Sequence, residues 1–180
     1  MKTLIKSKPI ILVLLFLIVG AGAVSAAPSD TDEVRNAVQR IFDQLKGGQY
    51  EGLYDSLPSS TRTRLPRDRF VKRLQGTRNL YQLDRIEIGT PRVSGNLAVV
   101  DTVMYAHIQQ PFNADGKLIV QQYLVREDGN WRVATGDRAT IDRFLKSNPS
   151  FGRKFPIRKT RAYVNQNGQW AEIPLGPRRK

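Results

Sequence analysis

The chain has 180 residues, no cysteine, one histidine and a net charge of +13. The lack of cysteine excludes disulfides, thiol catalysis and thiolate metal sites, and a single histidine argues against a transition-metal site. The length is that of one ordinary domain, and no internal repeat divides it.

The first 26 residues have the pattern of an export signal. Three lysines among the first eight residues precede an apolar run over 10–19, and small residues follow as far as Ala26. This run is shorter than the roughly 20 residues that a membrane-spanning helix needs. We therefore predict cleavage near Ala27 and a periplasmic or extracellular location, with an uncleaved membrane anchor as the alternative.

Apolar residues then recur with helical spacing. The predicted helices cover 34–45, 50–57 and 66–76. Asp30 or Thr31 is expected to cap the first helix, and Gly47-Gly48 to end it. Pro66 suits the first turn of the third helix.

Beyond residue 80 the sequence pattern changes from helical spacing to segments rich in valine, isoleucine, tyrosine and tryptophan, which are typical of strands. The predicted strands cover 80–88, 92–93, 97–108, 118–126 and 130–134. Asp115-Gly116 and Asp128-Gly129 are read as turns, and a last short helix is predicted over 140–146. Helices followed by an antiparallel meander predict an α+β domain with the helices packed on one face of a curved sheet.

The last segment, 151–180, carries eight basic residues and one acidic residue, so most of the positive charge is concentrated there. It also carries aromatic and aliphatic residues, which a disordered basic arm would lack. Residues 161–164 and 169–173 flank a turn and predict a small hairpin. The chain is thus divided into an export signal at 1–26, an α+β domain at 27–150 and a basic extension at 151–180.

Three segments carry a resemblance to a known family. They are GQYEGLYD at 48–55, VSGNLAVV at 93–100 and EDGNWRV at 127–133. In order and spacing they resemble exported bacterial domains of the nuclear transport factor 2-like superfamily. The resemblance implies a cone-shaped α+β fold, a pocket between helices and sheet, and often a homodimer through the sheet. It implies no activity, because that superfamily includes isomerases, dehydratases, cyclases and non-catalytic modules.

Enzymes of that superfamily place an aspartate or a histidine in the pocket as a general base. Asp101 and His107 are the candidates on the long strand, and Asp84 is a further candidate acid. Six residues separate Asp101 from His107, so they share a face but lie about 20 Å apart, too far for a hydrogen-bonded dyad. The opposite face, from Val100 to Ile108, is more uniformly apolar. We therefore expect that face to meet the helices, and Asp101 and His107 to lie outside.

Two larger sets are candidates for binding. The tyrosines that could line a pocket, or else serve as core aromatics, are Tyr50, Tyr54, Tyr81, Tyr105 and Tyr123. The basic residues that could face an anionic partner, or else form solvated surface, are Arg62, Arg64, Arg67, Arg69, Lys72, Arg73, Arg153, Lys154, Arg158, Lys159 and Arg161. The export signal argues against nucleic acid as that partner.

No phosphate loop, nucleophile elbow or dinucleotide fingerprint is present in the sequence, so no cofactor is expected. The sequence therefore predicts an exported, non-catalytic binding or accessory module of the cell envelope. Its ligand would be an anionic envelope component or a small apolar molecule. The alternative is a small-molecule isomerase or lyase that uses one pocket acid.

Overall fold

A computed structural model describes residues 29–111, 113–134 and 138–175, and the predicted export signal lies outside these ranges. The helices are α1 (Asp30–Lys46), α2 (Tyr50–Asp55), α3 (Ser59–Arg62), α4 (Arg67–Gln75), α5 (Arg138–Ser147) and α6 (Pro149–Lys154). The strands are β1 (Tyr81–Ile88), β2 (Arg92–Ser94), β3 (Leu97–Ile108), β4 (Ala114–Glu127), β5 (Asn130–Val133), β6 (Arg161–Gln166) and β7 (Gln169–Ile173). The protein is an α+β fold with its first helices packed on a curved antiparallel sheet, as predicted.

Helix α1 begins one residue earlier than the capping pattern predicts. The Ser29 hydroxyl accepts the backbone N–H of Asp32 at 3.2 Å, so Ser29 is the cap. The predicted caps, Asp30 and Thr31, are instead the first helical residues. There the carboxylate of Asp30 still favours the helix start through the helix dipole. Gly47 ends the helix, as predicted.

The sheet is entirely antiparallel, in the order β1-β3-β4-β6-β7. The short strand β2 extends the β1 side by pairing with the start of β3, and β5 pairs with the end of β4. Strand β6 pairs only with residues 116–119 of β4. The carbonyl of Tyr123 still accepts the N–H of Ala134 at 2.7 Å, so residues 120–122 of β4 face a gap in the sheet between β5 and β6. The connection leading into β6 lies at this gap, where the backbone N–H of Arg158 donates to Oε1 of Gln121 at 2.7 Å.

The inner face of the sheet, which carries the even-numbered residues of β3, packs on α1, as the apolar pattern predicts. Val34 and Val38 of α1 meet Val100 of β3 and Leu124 of β4 in one fully buried cluster. Trp131 closes this cluster and is 5% exposed. Toward Ile108 the same face is only half-buried.

The outer face, which carries the odd-numbered residues of β3, is also partly covered by helices. Val99 and Tyr123 pack there against Ile141 of α5 and Phe151 of α6. Sequence patterns give no sign of α6, because Asn148-Pro149 is a typical helix terminator. Here Pro149 occupies the first turn of a new helix, where it needs no hydrogen-bonded N–H.

Strand β4 begins before the predicted turn. Asp115 and Gly116 pair with His107 and Ala106 inside the β3–β4 ladder. A side chain at residue 116 would place its Cβ 2.4 Å from Cδ1 of Ile108. Gly116 thus allows Ile108 to lie across the strand, and its role is close packing and not a turn.

The free edge of the sheet at β1 is irregular. The β1–β3 register shifts between Leu83 and Arg85. Two side chains of α1 hydrogen-bond to carbonyls of β1: Lys46 Nζ donates to Asp84 O at 2.5 Å and Arg35 to Ile88 O at 2.8 Å. Helix α1 therefore satisfies backbone groups that no strand covers.

Candidate functional site

An apolar groove runs along the half-buried end of the inner face. It consists of two adjoining cavities of about 780 and 360 Å³. Both are lined by Met104 of β3, Leu118 of β4, Ile173 of β7 and Leu175. We call this continuous feature the inner groove.

The inner groove follows from the strand pattern and the sheet topology. Met104 and Leu118 are paired neighbours on the inner face, and Ile173 reaches the same face through the β6–β7 hairpin. Helix α1 covers the inner face near Val100. At the Met104 end the apolar side chains are therefore left half-buried and can hold a ligand.

The polar groups nearest the inner groove are either engaged or at its ends. The hydroxyl of Thr102 donates to Val120 O at 3.0 Å, deep in the strand pair. Arg158, Lys159 and Glu172 lie at the end near the sheet gap. The opposite end is flanked by Leu80, and Leu80 and Leu175 are 43% and 56% exposed. The groove is thus an open apolar surface with charge at one end.

Asp101 lies on the outer face, as its position in the strand predicts. Its carboxylate accepts hydrogen bonds from Arg92 at 3.0 Å and from Arg158 at 3.2 Å. These two guanidinium groups compensate its charge, and Asp101 does not line the inner groove. The arrangement is that of a surface ion-pair network.

His107 also lies on the outer face, where Nδ1 is 3.1 Å from Asp115 and Nε2 is 3.2 Å from Asn113. Hydrogen bonding to Asp115 raises the pKa of His107, because the bond favours the protonated ring. Asp84 is exposed at the β1 irregularity. His107 and Asp84 line a second depression of about 480 Å³, which shares Leu83, Ala106 and Gly116 with the lining of the inner groove.

The five candidate tyrosines do not converge on one pocket. Tyr81 lines the inner groove. Tyr50 and Tyr54 are buried on the helical side, and the hydroxyl of Tyr54 donates to Leu65 O at 2.8 Å. Tyr123 is fully buried, and burial raises its pKa, whereas Tyr105 lies on the outer face under the guanidinium of Arg85.

The two basic segments are held by different parts of the fold. In the first, Arg67 forms an ion pair with Asp55 and lies over the ring of Tyr54. In the second, Arg161 pairs with Glu172 across the β6–β7 hairpin at 2.9 Å. Several of these cations thus have intramolecular partners, whereas the sequence predicts only a partner-facing or a solvated surface.

The sequence pattern missed the residues that build the inner groove. Met104 and Leu118 read as ordinary strand residues, and Ile173 belongs to a segment that the sequence separates from the domain. The alternation of apolar residues in 97–108 is the signal for the face. The alternation does not show that one end of this face is exposed, because that exposure depends on where α1 stops covering the sheet.

Within the part of the chain that the structure describes, no cluster of three histidine or acidic side chains could hold a metal ion. Among the same residues, no helix has both the length and the apolar character to cross a membrane.

Comparisons with known proteins assign no reaction to the chain. No protein-family model and no curated protein sequence matches it. Solved structures similar to it include one of an M. tuberculosis LEH-like epoxide hydrolase, with 13% sequence identity and a TM-score of 0.42. That similarity covers 70% of this chain and 99% of the other.

Proposed function

We propose that the protein is an exported, non-catalytic binding module that holds a small apolar ligand in the inner groove. The observation that carries the proposal is the lining shared by the two cavities: Met104, Leu118, Ile173 and Leu175, without an acid or a histidine among them. Apolar area removed from water contributes about 25 cal/mol per Å², so a ligand covering these side chains gains affinity without charged contacts.

The alternative of an isomerase or lyase requires a catalytic acid or base beside the bound substrate. Asp101, His107 and Asp84 do not line the inner groove. Asp101 is paired with Arg92 and with Arg158, which lies at the charged end of the groove, and both ring nitrogens of His107 are engaged by Asp115 and Asn113. Glu172, at the charged end, is hydrogen-bonded by Arg161, which lowers its pKa and keeps it an anion. An ionised, paired carboxylate at the end of a groove suits orientation of a ligand better than general acid catalysis.

Binding can be tested with the uncharged fluorescent probe N-phenyl-1-naphthylamine. We expect saturable fluorescence enhancement with the wild-type protein. Met104→Gln keeps the length of the side chain but places an amide against the ligand, and should weaken binding about tenfold. Val103→Gln makes the same kind of change on the outer face and should leave the affinity unchanged.

Circular dichroism melting of both variants separates loss of binding from loss of folding. Equal affinities for the two folded variants, or fluorescence that does not saturate, would rule out the inner groove as the binding site. Conversion of the ligand to a product by the wild-type protein would contradict the non-catalytic assignment.

The export component is tested separately, by mass spectrometry of the protein recovered from the cell exterior or periplasm. A mature species that begins near Ala27 is expected, because small residues precede that position. An intact species that retains Met1 in the membrane fraction would instead make the apolar run an anchor.

A further inference from the structure

A second groove of about 410 Å³ lies between α3 and α5, outside the inner groove. Its apolar lining includes Leu97, Val125 and Phe144. Cationic side chains line it from two elements: Arg64, just after α3, and Arg143 and Lys146 on α5. We call this feature the basic groove.

The walls of the basic groove are fixed to the sheet. At the start of α3, the backbone N–H and the hydroxyl of Ser59 donate to the carboxylate of Glu127, at 2.9 and 3.1 Å. On the other side, Phe144 packs on the ring of Tyr123, with ring centroids 5.8 Å apart. Ile141 of the same helix is buried. The spacing between the two walls is thus set by the fold, and not by the cations.

The charges in the basic groove are unbalanced. Glu127 is its single acidic lining residue, and both of its oxygens already accept hydrogen bonds from Ser59 while Arg132 lies at 3.6 Å. Among the described residues, no ion pair joins Arg64, Arg143 or Lys146 to a carboxylate. Arg67 and Arg161, by contrast, each form an ion pair with a carboxylate. Three cations line one groove, so a bound anion would compensate their charge.

We propose that the basic groove binds an organic phosphate monoester. The phosphate would contact Arg64, Arg143 and Lys146, and the organic group would lie on Leu97, Val125 and Phe144. A monoester carries about −1.5 to −2 charges at neutral pH, which matches three cations better than a single carboxylate does. Guanidinium groups bind phosphate oxygens through paired, charge-assisted hydrogen bonds. This proposal is independent of the apolar ligand in the inner groove.

The test is an NMR titration of the folded protein with phenyl phosphate, followed through backbone amide shifts. Saturable shifts are expected at α3 and α5. Removing two charge-assisted contacts by Arg64→Ser with Arg143→Ser should weaken binding at least about tenfold. The matched control, Arg69→Ser with Arg73→Ser, removes two exposed cations of α4 that do not line the basic groove, and should leave the affinity unchanged.

Inorganic phosphate tests the apolar part, and should bind more weakly than phenyl phosphate. Equal affinities for the two would overturn the role of the apolar lining. Equal loss in both double variants would show that net charge alone is responsible, and would overturn the site.

The same chemistry could come from a lipid headgroup. Phosphatidylcholine vesicles with and without phosphatidic acid distinguish the source: vesicle binding that depends on Arg64 and Arg143, without shifts by phenyl phosphate, would assign the phosphate to a lipid. An absence of binding in every arm would overturn the proposal.

Discussion

At the scale of single residues, the position of a side chain on a strand could be predicted but its partners could not. The alternation of β3 correctly places Asp101 and His107 on the outer face. The partners come from other segments: Arg158 from the connection before β6 and Asp115 from β4. The pairing of His107 with Asp115 depends on where the β3–β4 connection turns. It could not be predicted, because the sequence pattern places Asp115 in the turn itself.

His107 provides a prediction on pH. Asp115 raises its pKa above the ordinary value of about 6.5, so the folded state binds the proton more tightly than the unfolded chain does. The resulting stabilisation is fully present below the unfolded pKa and is lost as the pH rises through the folded pKa. Titration of the ring protons by NMR should show the raised pKa.

Asp115→Asn removes the charge that holds the proton, so the pKa of His107 should fall toward the ordinary value. Asn113→Ala serves as the comparison. It removes the second hydrogen bond, whose effect on the pKa is smaller, and should lower the pKa less. If Asp115→Asn leaves the titration curve in place, the ion pair is absent in solution.

At the scale of elements, glycine and proline predict turns and helix ends, because these are their commonest positions. Gly116 reads as a turn, and Pro149 as a helix end. In the structure Gly116 lies in β4 beneath Ile108, and Pro149 opens α6. Both exceptions arise from tertiary packing, which overrides local preference. The long periodic elements α1 and β3, by contrast, could be predicted to within a few residues at each end.

Gly116→Ala tests the close approach of Ile108. The added methyl would stand 2.4 Å from Cδ1 of Ile108 and 3.3 Å from the carbonyl oxygen of Tyr163, so the isoleucine must change rotamer. We expect a loss of about 1–3 kcal/mol in the free energy of unfolding, measured by urea denaturation.

Gly76→Ala is the matched control, because a methyl group there meets the carbonyl oxygens of Lys72 and Arg73 at an ordinary 3.5 Å. Its φ of −64° suits alanine, so this variant should be neutral or slightly stabilised. Equal effects of the two substitutions would mean that residue 116 is a loop position.

At the scale of the whole molecule, the basic extension contributes to the fold as well as to the charge. Phe151 belongs to the outer core, and Ala162 and Val164 of β6 are buried against the sheet. The sequence predicts the β6–β7 hairpin correctly. It could not predict its attachment to β4, because that contact joins residues more than forty positions apart and has no local signal.

Deletion of residues 151–180 should therefore destabilise the protein strongly. Loss of a buried phenylalanine alone costs about 3–5 kcal/mol, a large part of the 5–15 kcal/mol that stabilises an ordinary domain. We expect a much lower melting temperature, or loss of the cooperative transition, in circular dichroism.

Charge reversal of Lys154 and Lys159 to glutamate is the control, since both side chains are exposed. It should leave the melting temperature nearly unchanged. It should reduce retention on an anionic column, and more so at low salt, because exposed charges act over a Debye length of about 8 Å at physiological ionic strength. Equal melting temperatures for the deletion and the wild type would place the extension outside the folded unit.

The irregular edge at β1 has a consequence for behaviour at high concentration. A strand with free N–H and C=O groups is a template on which a strand of another molecule can pair. Here the register shift at Leu83 interrupts that template, and Lys46 and Arg35 occupy two of its carbonyls. The contact that fastens the first helix to the sheet thus also protects the protein against edge-to-edge aggregation.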